Sequence, residues 1–389
     1  MRVRGRFMRV EFKGSEGYTL GVEEELHIVD ATTGELVPKI EEIMSRLPEE
    51  LKEAVSYELF QSVLEIKTPP CGSAAEAEGI LRELRSRVGS WAAACGTALA
   101  SAGTHPFSRY INQKITDQER YKKVIRTLRW VAQREVIFGQ HVHVGVPDEE
   151  AAIEAHNRLS EKVPLLLALS ANSPFWQGMD TGYESARVKI FETFPRAGLP
   201  PAFPDYEAFE RYVGLMVVAG AMDDYTFCWW DVRPHSRIGT IELRVLDSQT
   251  SIESAIALAA LTQCLVAKAL DENPKGPYNR ELATENKFRA ARHGMDAAFY
   301  DAAKGVSIPA RERARSLVEE LRPVSQHLKC ENELEGILEI VESGTGSQNQ
   351  RRALEKSGDF LDVVAFLIES TRPATAEASG EIQGEEQVR

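Results

Sequence analysis

The stretch GVEEELH at residues 21–27 places carboxylates two positions apart within a strand-like pattern. Two further stretches repeat the arrangement with imidazole or acidic side chains, QHVHV at 140–144 and TIELRV at 240–245. Because successive strand side chains point to opposite faces of a sheet, positions i and i+2 share one face. Carboxylates rarely line a sheet face unless a cation neutralises them. These stretches therefore predict a divalent-metal site, and with it an enzyme.

The composition is typical of a globular protein. The chain has 389 residues, of which 43% are hydrophobic and 27% are charged. A formal net charge of −13 argues against nucleic acid or an anionic membrane as the main partner. No apolar run approaches the length of a membrane span, and the opening MRVRGRFM lacks the apolar core of a signal peptide. The five scattered cysteines form no CxxC pair, so we expect reduced thiols in a cytoplasmic protein.

The order of predicted elements indicates an α+β fold. Alternation predicts strands at 18–29, 61–67, 138–146 and 239–247, and helical spacing predicts helices at 74–101, 116–134, 149–171, 205–220 and 252–270. Capping boxes at Ser73/Glu76 and Thr116/Glu119 begin two of these helices, and Pro164 interrupts a third. The aromatic-rich segment 172–204 is predicted to be a long, site-lining loop.

The pattern beyond residue 281 is helical, with expected breaks at Gly305, Pro323 and 343–347. The segment from 372 is polar and acidic, which predicts disorder. We therefore divide the chain into a leading segment at 1–16, a single catalytic domain at 17–371 with a helical C-terminal section, and a disordered acidic tail at 372–389.

Each polar stretch has a plainer explanation when it is taken alone. Glu23 and Glu25 fit an edge strand with solvated charges, whereas Glu24 falls on the otherwise apolar face, a conflict that the pattern leaves open. One core histidine plus one surface histidine explains the HxH pair as well as two metal ligands do. Glu242 and Arg244 fit the polar face of an amphipathic strand.

The combination of stretches favours the metal site. Oxygen-rich clusters with an occasional histidine suit Mg²⁺ or Mn²⁺ better than Zn²⁺. The sequence has no GxxxxGK[ST] loop, so a phosphate ligand would be held by metal ions and arginines. The candidates are Arg187, Arg244, Arg289 and Arg292, although the spacing of Glu285 and Arg289 also fits a surface ion pair on a helix.

These motifs, in this order, resemble the bacterial glutamate–cysteine ligase type 2 family of ATP-dependent carboxylate–amine ligases. The resemblance is carried by GVEEE at 21–25, LEIKTP at 64–69, QHVHVG at 140–145, SANSPFWQG at 170–178, IELRVLD at 241–247 and ENKFRAAR at 285–292. It covers about residues 17–370. The resemblance implies a curved antiparallel β-sheet of the glutamine synthetase/guanido-kinase type with surrounding helices, whose concave face carries the metals and the ATP phosphates.

By match to that family, the metal ligands are Glu23, Glu25, Glu58, Glu65 and Glu242. The resemblance also supplies Glu58, which alternation does not place. The related ligases carry a further carboxylate where this chain has Gln61, which leaves the number of metal ions open.

The resemblance implies an amide-forming reaction through an acyl phosphate, with glutamate and cysteine as the substrates named by the family. The implied cofactors are ATP and Mg²⁺ or Mn²⁺. We expect Arg244 to meet the γ-phosphate, Arg187 to grip a substrate carboxylate and His143 to take part in catalysis. The nucleotide would contact Arg244, Arg289, Arg292 and His141. The partners would be a small carboxylate and a small amine, and we expect a homodimer because helical C-terminal sections often pair.

Two other functions remain open at this point. A zinc amidohydrolase could combine the HxH pair with His105 and His235 around a water molecule. A ligase-derived binding protein with feeble catalysis is the other alternative, although the intact set of carboxylates argues against it.

Overall fold

The fold, seen in a computed structural model, is described for residues 10–15, 17–272 and 278–373. Its strands are β1 (Leu20–Asp30), β2 (Val55–Tyr57), β3 (Val63–Lys67), β4 (Thr97–Ala100), β5 (Gln140–Gly145), β6 (Phe175–Trp176), β7 (Met179–Asp180), β8 (Val232–His235), β9 (Thr240–Leu243), β10 (Ala298–Asp301) and β11 (Val306–Pro309). The predicted strands at 18–29, 61–67, 138–146 and 239–247 correspond to β1, β3, β5 and β9.

Helices make up most of the remaining structure. They are α1 (Ile40–Arg46), α2 (Glu49–Lys52), α3 (Ala74–Ala94), α4 (Glu119–Leu128), α5 (Trp130–Gln133), α6 (Glu149–Ser170), α7 (Ala186–Phe191), α8 (Tyr206–Val218), α9 (Ile252–Asp271), α10 (Arg280–His293), α11 (Ala310–Leu328), α12 (Glu331–Ser343), α13 (Gly346–Ser357) and α14 (Phe360–Thr371). Short 3₁₀ turns lie at Tyr110–Asn112, Tyr225–Phe227 and Gly294–Asp296.

Seven strands form one antiparallel sheet in the order β2-β3-β1-β5-β9-β8, with β4 paired to the end of β1. The long strand β1 is central, because β3, β4 and β5 all pair with it. The α+β class and the antiparallel sheet are therefore confirmed.

One face of this sheet is apolar and lies under helices. Val22 and Leu26 of β1 point the same way as Leu64 of β3 and Val142 of β5, and all four side chains are fully buried. Helices α3 and α9 pack against these strands, and α6 packs against β8 and β9 of the same sheet. Because side chains alternate along each strand, the residues between these apolar positions must emerge on the opposite face. That opposite face carries the polar stretches.

Helix α9 is long, apolar and almost wholly buried. It is long and apolar enough to cross a membrane by length and composition, but 83% of the tested window is buried inside the protein. It also packs against α11 and α12. Burial on this scale is typical of the central helix of a globular domain.

Several predicted elements end at different places from those expected. The helix predicted at 74–101 ends at Ala94, because Gly96 at φ +72° turns the chain into β4. The predicted capping box at Thr116 is wrong, since α4 begins after Gln118 and the Thr116 hydroxyl donates to the Glu58 carbonyl. Helix α6 continues through Pro164, where packing against the core outweighs one lost hydrogen bond.

The C-terminal section is helical as predicted, with one addition. A hairpin of β10 and β11 precedes α11, and Gly305 lies in its turn at φ +68°. Helix α11 continues through Pro323, but the break at 343–347 is confirmed by the capping box of Thr345 and Gln348. The disordered tail predicted at 372–389 lies almost wholly outside the described residues, as does most of the leading segment.

Candidate active site

The polar face of the sheet forms the floor of a cavity of about 640 Å³. Every glutamate predicted to bind metal lines it, together with both strand histidines and two of the predicted arginines: Glu23, Glu25, Glu58, Glu65, Glu242, His141, His143, Arg187 and Arg244. The cavity volume lies within the range of small-molecule sites.

Strand register sets these side chains opposite one another. The cross-strand pairs are Glu25 with Glu65, Glu23 with His141, and His143 with Glu242. Directly opposed residues on one face of an antiparallel pair have Cβ atoms about 4.5–5.5 Å apart. A continuous row of acidic and imidazole groups therefore crosses four strands, although these groups come from distant parts of the chain.

Glu58 joins the row from outside the regular alternation. It follows β2, before the turn that leads into β3, and its Oε2 accepts the Leu59 N–H at 3.2 Å. Burial, followed by repulsion from the Glu25 carboxylate, raises the pKa of Glu58 to about 8. Burial and the carboxylates of Glu23 and Glu58 likewise raise the pKa of Glu65 well above its usual value. These acids are crowded in a way that a cation would relieve.

The two strand histidines hold Glu23. Its Oε2 lies 3.1 Å from His141 Nδ1, and its Oε1 lies 3.6 Å from His143 Nε2. Burial alone would raise the pKa of Glu23, but the charge on His143 and the hydrogen bond from His141 hold it well below the usual value. Burial lowers the pKa of His141. The pKa of His143 is raised, because attraction to Glu23 and Glu242 outweighs its burial.

Glu242 lies between two arginines. Arg233 on β8 donates from Nε to one carboxylate oxygen at 2.8 Å and from Nη2 to the other at 3.1 Å. Arg244 contacts the same carboxylate. Burial alone would raise the pKa of Glu242, but the two guanidinium groups hold it well below its usual value. Sequence reasoning missed Arg233, which lies directly opposite Glu242 in the β8–β9 register.

The donor set fits a hard divalent cation. Two groups of three side chains bring one ligand atom each to within 4.8 Å of one another, Glu23 with His141 and Glu242, and Glu25 with Glu65 and His141. Carboxylate oxygens with one imidazole are a ligand set of Mg²⁺ or Mn²⁺ rather than of Zn²⁺. His141 belongs to both groups, so it is a further candidate ligand, although the sequence assigned it to the nucleotide.

Arg187 comes from the aromatic-rich segment and reaches the same cavity from α7. Its guanidinium donates to the carbonyl oxygens of Arg244 and Val245, both at 3.2 Å, and lies 3.9 Å from Asp247. A Cβ at Gly139 would lie 2.2 Å from Arg187 Nη2, so glycine leaves the room that this arginine occupies. The segment predicted as a site-lining loop is thus ordered, and it contains β6, β7 and α7.

The structure does not bring Arg289 and Arg292 to this cavity. Arg289 donates to Glu285 at 2.8 Å, which is the surface ion pair that the spacing allowed. Arg292 contacts the Gly182 carbonyl and lies over the Tyr183 ring. Neither arginine is among the residues lining the carboxylate cavity, so we leave both out of the nucleotide site.

The zinc alternative loses one of its ligands. His235 does line the cavity, with its ring centroid 5.6 Å from that of His143. His105 is buried elsewhere, with Nε2 bonded to the Gly34 carbonyl at 2.9 Å and Nδ1 accepting the Ser108 N–H at 2.9 Å. Both nitrogens of His105 are therefore occupied by the backbone.

Gln61 also lies outside the cavity lining. Its amide donates to Glu41 at 3.2 Å and to the Ile115 carbonyl at 3.4 Å. The described carboxylate cluster is formed without a contribution from this position.

Further cavity residues were missed because they lie outside the quoted motifs. Helix α4 contributes Arg120 and Tyr121, although none of its residues is buried. Glu135 contributes a carboxylate from the segment before β5. A usable signal existed for Glu135, since it shares the parity of His141 and His143.

Comparison with known proteins shows the family to which this chain belongs. The family model "Glutamate-cysteine ligase family 2" matches residues 19–384, which extends beyond the domain boundary predicted at 371. The "Putative glutamate--cysteine ligase 2-1" of Rubrobacter xylanophilus is 73% identical over 372 residues, covering 95% of this chain and 99% of that protein. The "Putative glutamate--cysteine ligase 2-3" of the same organism is 48% identical over 365 residues, covering 94% and 100%.

A solved structure shares the fold. The glutamate–cysteine ligase of Francisella tularensis, solved in complex with AMP, matches 93% of this chain and 90% of its own with a TM-score of 0.69 at 14% identity. At that identity the likeness concerns the fold alone, whereas the family match and the relatives concern most of the sequence. The chain is therefore a ligase-like enzyme that belongs to the glutamate–cysteine ligase family 2.

Proposed function

We propose that this chain is an ATP-dependent ligase that joins a carboxylate to an amine through an acyl phosphate and releases ADP and phosphate. One observation supports this most strongly. Five glutamates, together with Arg187 and Arg244, line a single cavity on the sheet. Phosphoryl transfer requires mainly positioning and charge neutralisation, for which carboxylate-bound cations and arginines are suited.

The residues that would hold Mg²⁺ or Mn²⁺ are Glu23, Glu25, Glu58, Glu65, Glu242 and His141. When bound there, the cation would neutralise the triphosphate and polarise its γ-phosphate. The surrounding residues keep this ligand set in place. Arg233 orients Glu242 through two hydrogen bonds, and the Gly139 N–H donates to Glu25 at 2.5 Å.

The two cavity arginines have separable roles. Arg244 lies beside Glu242, so its guanidinium would meet the charge of the γ-phosphate next to the cation. Arg187 is anchored by two backbone carbonyls, and its Nε has no hydrogen-bond partner among the described residues. An anchored guanidinium that lines the cavity suits the capture of a substrate carboxylate.

The proposed reaction has two steps. An oxygen of the substrate carboxylate attacks the γ-phosphorus of ATP, and the bond to the bridging oxygen breaks to release ADP. The amine nitrogen then attacks the acyl carbon, and the carbon–oxygen bond to phosphate breaks. The nitrogen loses its extra protons to solvent, and phosphate leaves. The arginines would stabilise the charge that develops in both steps.

Glutamate and cysteine are the substrate pair to test first. The names of the relatives point to these amino acids, and the AMP bound to the Francisella tularensis ligase supports an adenine nucleotide. The decisive experiment is a screen for ADP release with Mg²⁺ and ATP, pairing L-glutamate and other carboxylates with L-cysteine and other amines.

The metal-ligand assignment is tested by two variants in that screen. We expect Glu65→Gln and Glu242→Gln each to lower amine-dependent ADP release at least ~100-fold, or about 2.7 kcal/mol, because each removes a charge that would hold the cation. Glu285→Gln is the control, since this exposed glutamate pairs with Arg289 away from the cavity. Full amine-dependent activity in both cavity variants would refute the assignment. ATP binding without turnover in any pair would favour a binding protein instead.

A further inference from the structure

Glu135 is a cavity residue that the proposed chemistry does not use. It is 8% exposed and lines the same cavity as the metal-binding glutamates. Neither of its carboxylate oxygens has a hydrogen-bond partner among the described residues. A buried polar group without a partner destabilises a protein by about 1–3 kcal/mol, and more when it is charged. Such groups call for a ligand or a functional reason.

The backbone holds Glu135 in this position. It lies between α5 and β5, and the segment is anchored where its N–H donates to the Ala132 carbonyl and Ile137 bridges to Thr104. Val136 and Phe138 are buried in a hydrophobic cluster, whereas Glu135 and Ile137 line the cavity. The alternation of strand β5 thus extends backwards to Glu135, which rests on a fixed backbone rather than on a free loop.

Both oxygens of the Glu135 carboxylate are buried at the wall of the cavity. Arg187 and Arg134 are the cations whose charges act on Glu135 most strongly. Among the described residues, however, neither forms an ion pair with the Glu135 carboxylate within 4.0 Å. Burial, opposed by these arginines, raises the pKa of Glu135 to about 8. Glu135 is also absent from both groups of potential metal ligands found among the described residues. No hydrogen-bond donor among the described residues reaches the Glu135 carboxylate.

We propose that Glu135 binds the protonated nitrogen of the amine substrate and so positions it; this nitrogen becomes the nucleophile of the ligation once it has lost a proton to solvent. The assignment rests on the proposed function, and it concerns the second substrate rather than ATP or the cation. A carboxylate favours a cationic ammonium over a neutral donor, because hydrogen bonds to charged groups are about twice as strong. Arg187 lines the same cavity and carries the opposite charge, which suits the carboxylate substrate.

The test compares a cationic with an uncharged nucleophile in the full-length protein. Glu135→Gln keeps the shape of the side chain but cannot carry the negative charge that a bound ammonium would stabilise. With Mg²⁺, ATP and L-glutamate, we expect the KM for L-cysteine to rise ~10–100-fold, which corresponds to a hydrogen bond to a charged group. The KM values for ATP and for hydroxylamine, which is mostly uncharged at neutral pH, should stay within a factor of ~3, a difference of less than 1 kcal/mol. Glu135→Asp should recover part of the KM for L-cysteine.

Two controls separate this role from a structural one. Glu207→Gln removes an exposed glutamate that pairs with Arg211 on α8, and its kinetics should match the parent protein. The melting temperature of Glu135→Gln should be unchanged, because a buried carboxyl group with a pKa of about 8 is mostly uncharged at neutral pH in the free protein, as the amide is.

The possible results have distinct meanings. An unchanged KM for L-cysteine in Glu135→Gln, or an equal rise in the KM for ATP, would overturn the role of Glu135 and leave the proposed ligase function standing. No ADP release by the parent protein with any amine would overturn both.

Discussion

Glu23, Glu25 and His27 share one parity on β1, yet they have different fates. The two glutamates line the cavity, whereas His27 is fully buried, with Nε2 bonded to the Ala102 carbonyl at 3.0 Å and its ring 3.8 Å from that of Phe138. Alternation tells which way a side chain points, but not whether open space lies there. Beyond Glu25, the loop that follows β4 and the segment before β5 cover the sheet.

His105 supports a prediction about pH. Because its Nδ1 accepts a backbone N–H, the ring is neutral, and burial lowers its pKa to about 4. The unfolded chain takes up this proton near the ordinary pKa of about 6.5. His105 therefore stabilises the fold at neutral pH, and this contribution is lost as the pH falls from about 6.5 to about 4.

We expect His105→Gln to be less stable than the parent at pH 7 and to lose less stability on acidification. The difference between the two unfolding free energies should shrink by up to ~3 kcal/mol between pH 7 and pH 4. Urea unfolding at several pH values measures this difference. Parallel pH profiles for the two proteins would contradict the prediction.

A buried ion pair between strand β1 and helix α3 explains why Glu24 can lie on the apolar face of the sheet. Arg85 on α3 donates from Nε and Nη2 to the two oxygens of Glu24, both at 2.8 Å, and neither side chain is more than 1% exposed. Arg85 also donates to the carbonyl oxygens of Gln249 and Thr250. The pair thus ties β1, α3 and the approach to α9 together behind the active site.

We expect Glu24→Gln to destabilise the fold by ~3–5 kcal/mol, because it leaves a buried guanidinium without its counter-charge. Glu83→Gln is the matched control, on the helix that carries Arg85. Its exposed ion pair with Arg87 should contribute ~0–1 kcal/mol. Denaturant unfolding of both variants measures these values. Equal stability of the two variants would show that the buried pair contributes little.

Helix α4 differs from the core helices in its attachment. None of its residues is buried, and it is held by the Tyr121 hydroxyl, which donates to the Tyr57 carbonyl at 2.7 Å, and by an exposed Lys123–Asp223 ion pair. Its Arg120 and Tyr121 line the cavity. Elements with few buried contacts open at low free energy.

We therefore expect the amide hydrogens of α4 to exchange faster than those of α9, and to become protected when ATP and Mg²⁺ are added. Hydrogen–deuterium exchange read by mass spectrometry measures both effects. The peptides of α8, on another part of the surface, serve as the control. Protection of α8 and α4 to the same extent would indicate general stabilisation instead of contact with ligand.

ATP and Mg²⁺ added together should stabilise the whole molecule against unfolding. ATP with Mg²⁺ at about 100 times the dissociation constant would stabilise the fold by ~2.7 kcal/mol. We expect each ligand alone to have a smaller effect, because the carboxylate cluster repels the triphosphate without a cation. Thermal unfolding with and without EDTA measures this dependence. Equal shifts by ATP with and without EDTA would contradict it.

Two predictions about the whole molecule concern its assembly and its location in the cell. The helical C-terminal section packs on α9 through α11 and α12. The homodimer and the cytoplasmic location stay predictions.

The sequence by itself determined the local features of this protein. Alternation placed Glu23, Glu25, His141 and His143 on one face, and the order of motifs identified the family. These features depend on neighbours within a few residues, which is why one strand at a time reveals them.

The tertiary structure decided which of these groups meet. It brought Arg233 to Glu242 and Glu135 to the cavity, kept Arg289 and Arg292 away, and gave Glu24 its partner in Arg85. Each outcome depends on strand register and on packing between residues far apart in the chain. Such contacts follow from how whole elements pack, and no local period in the sequence encodes them.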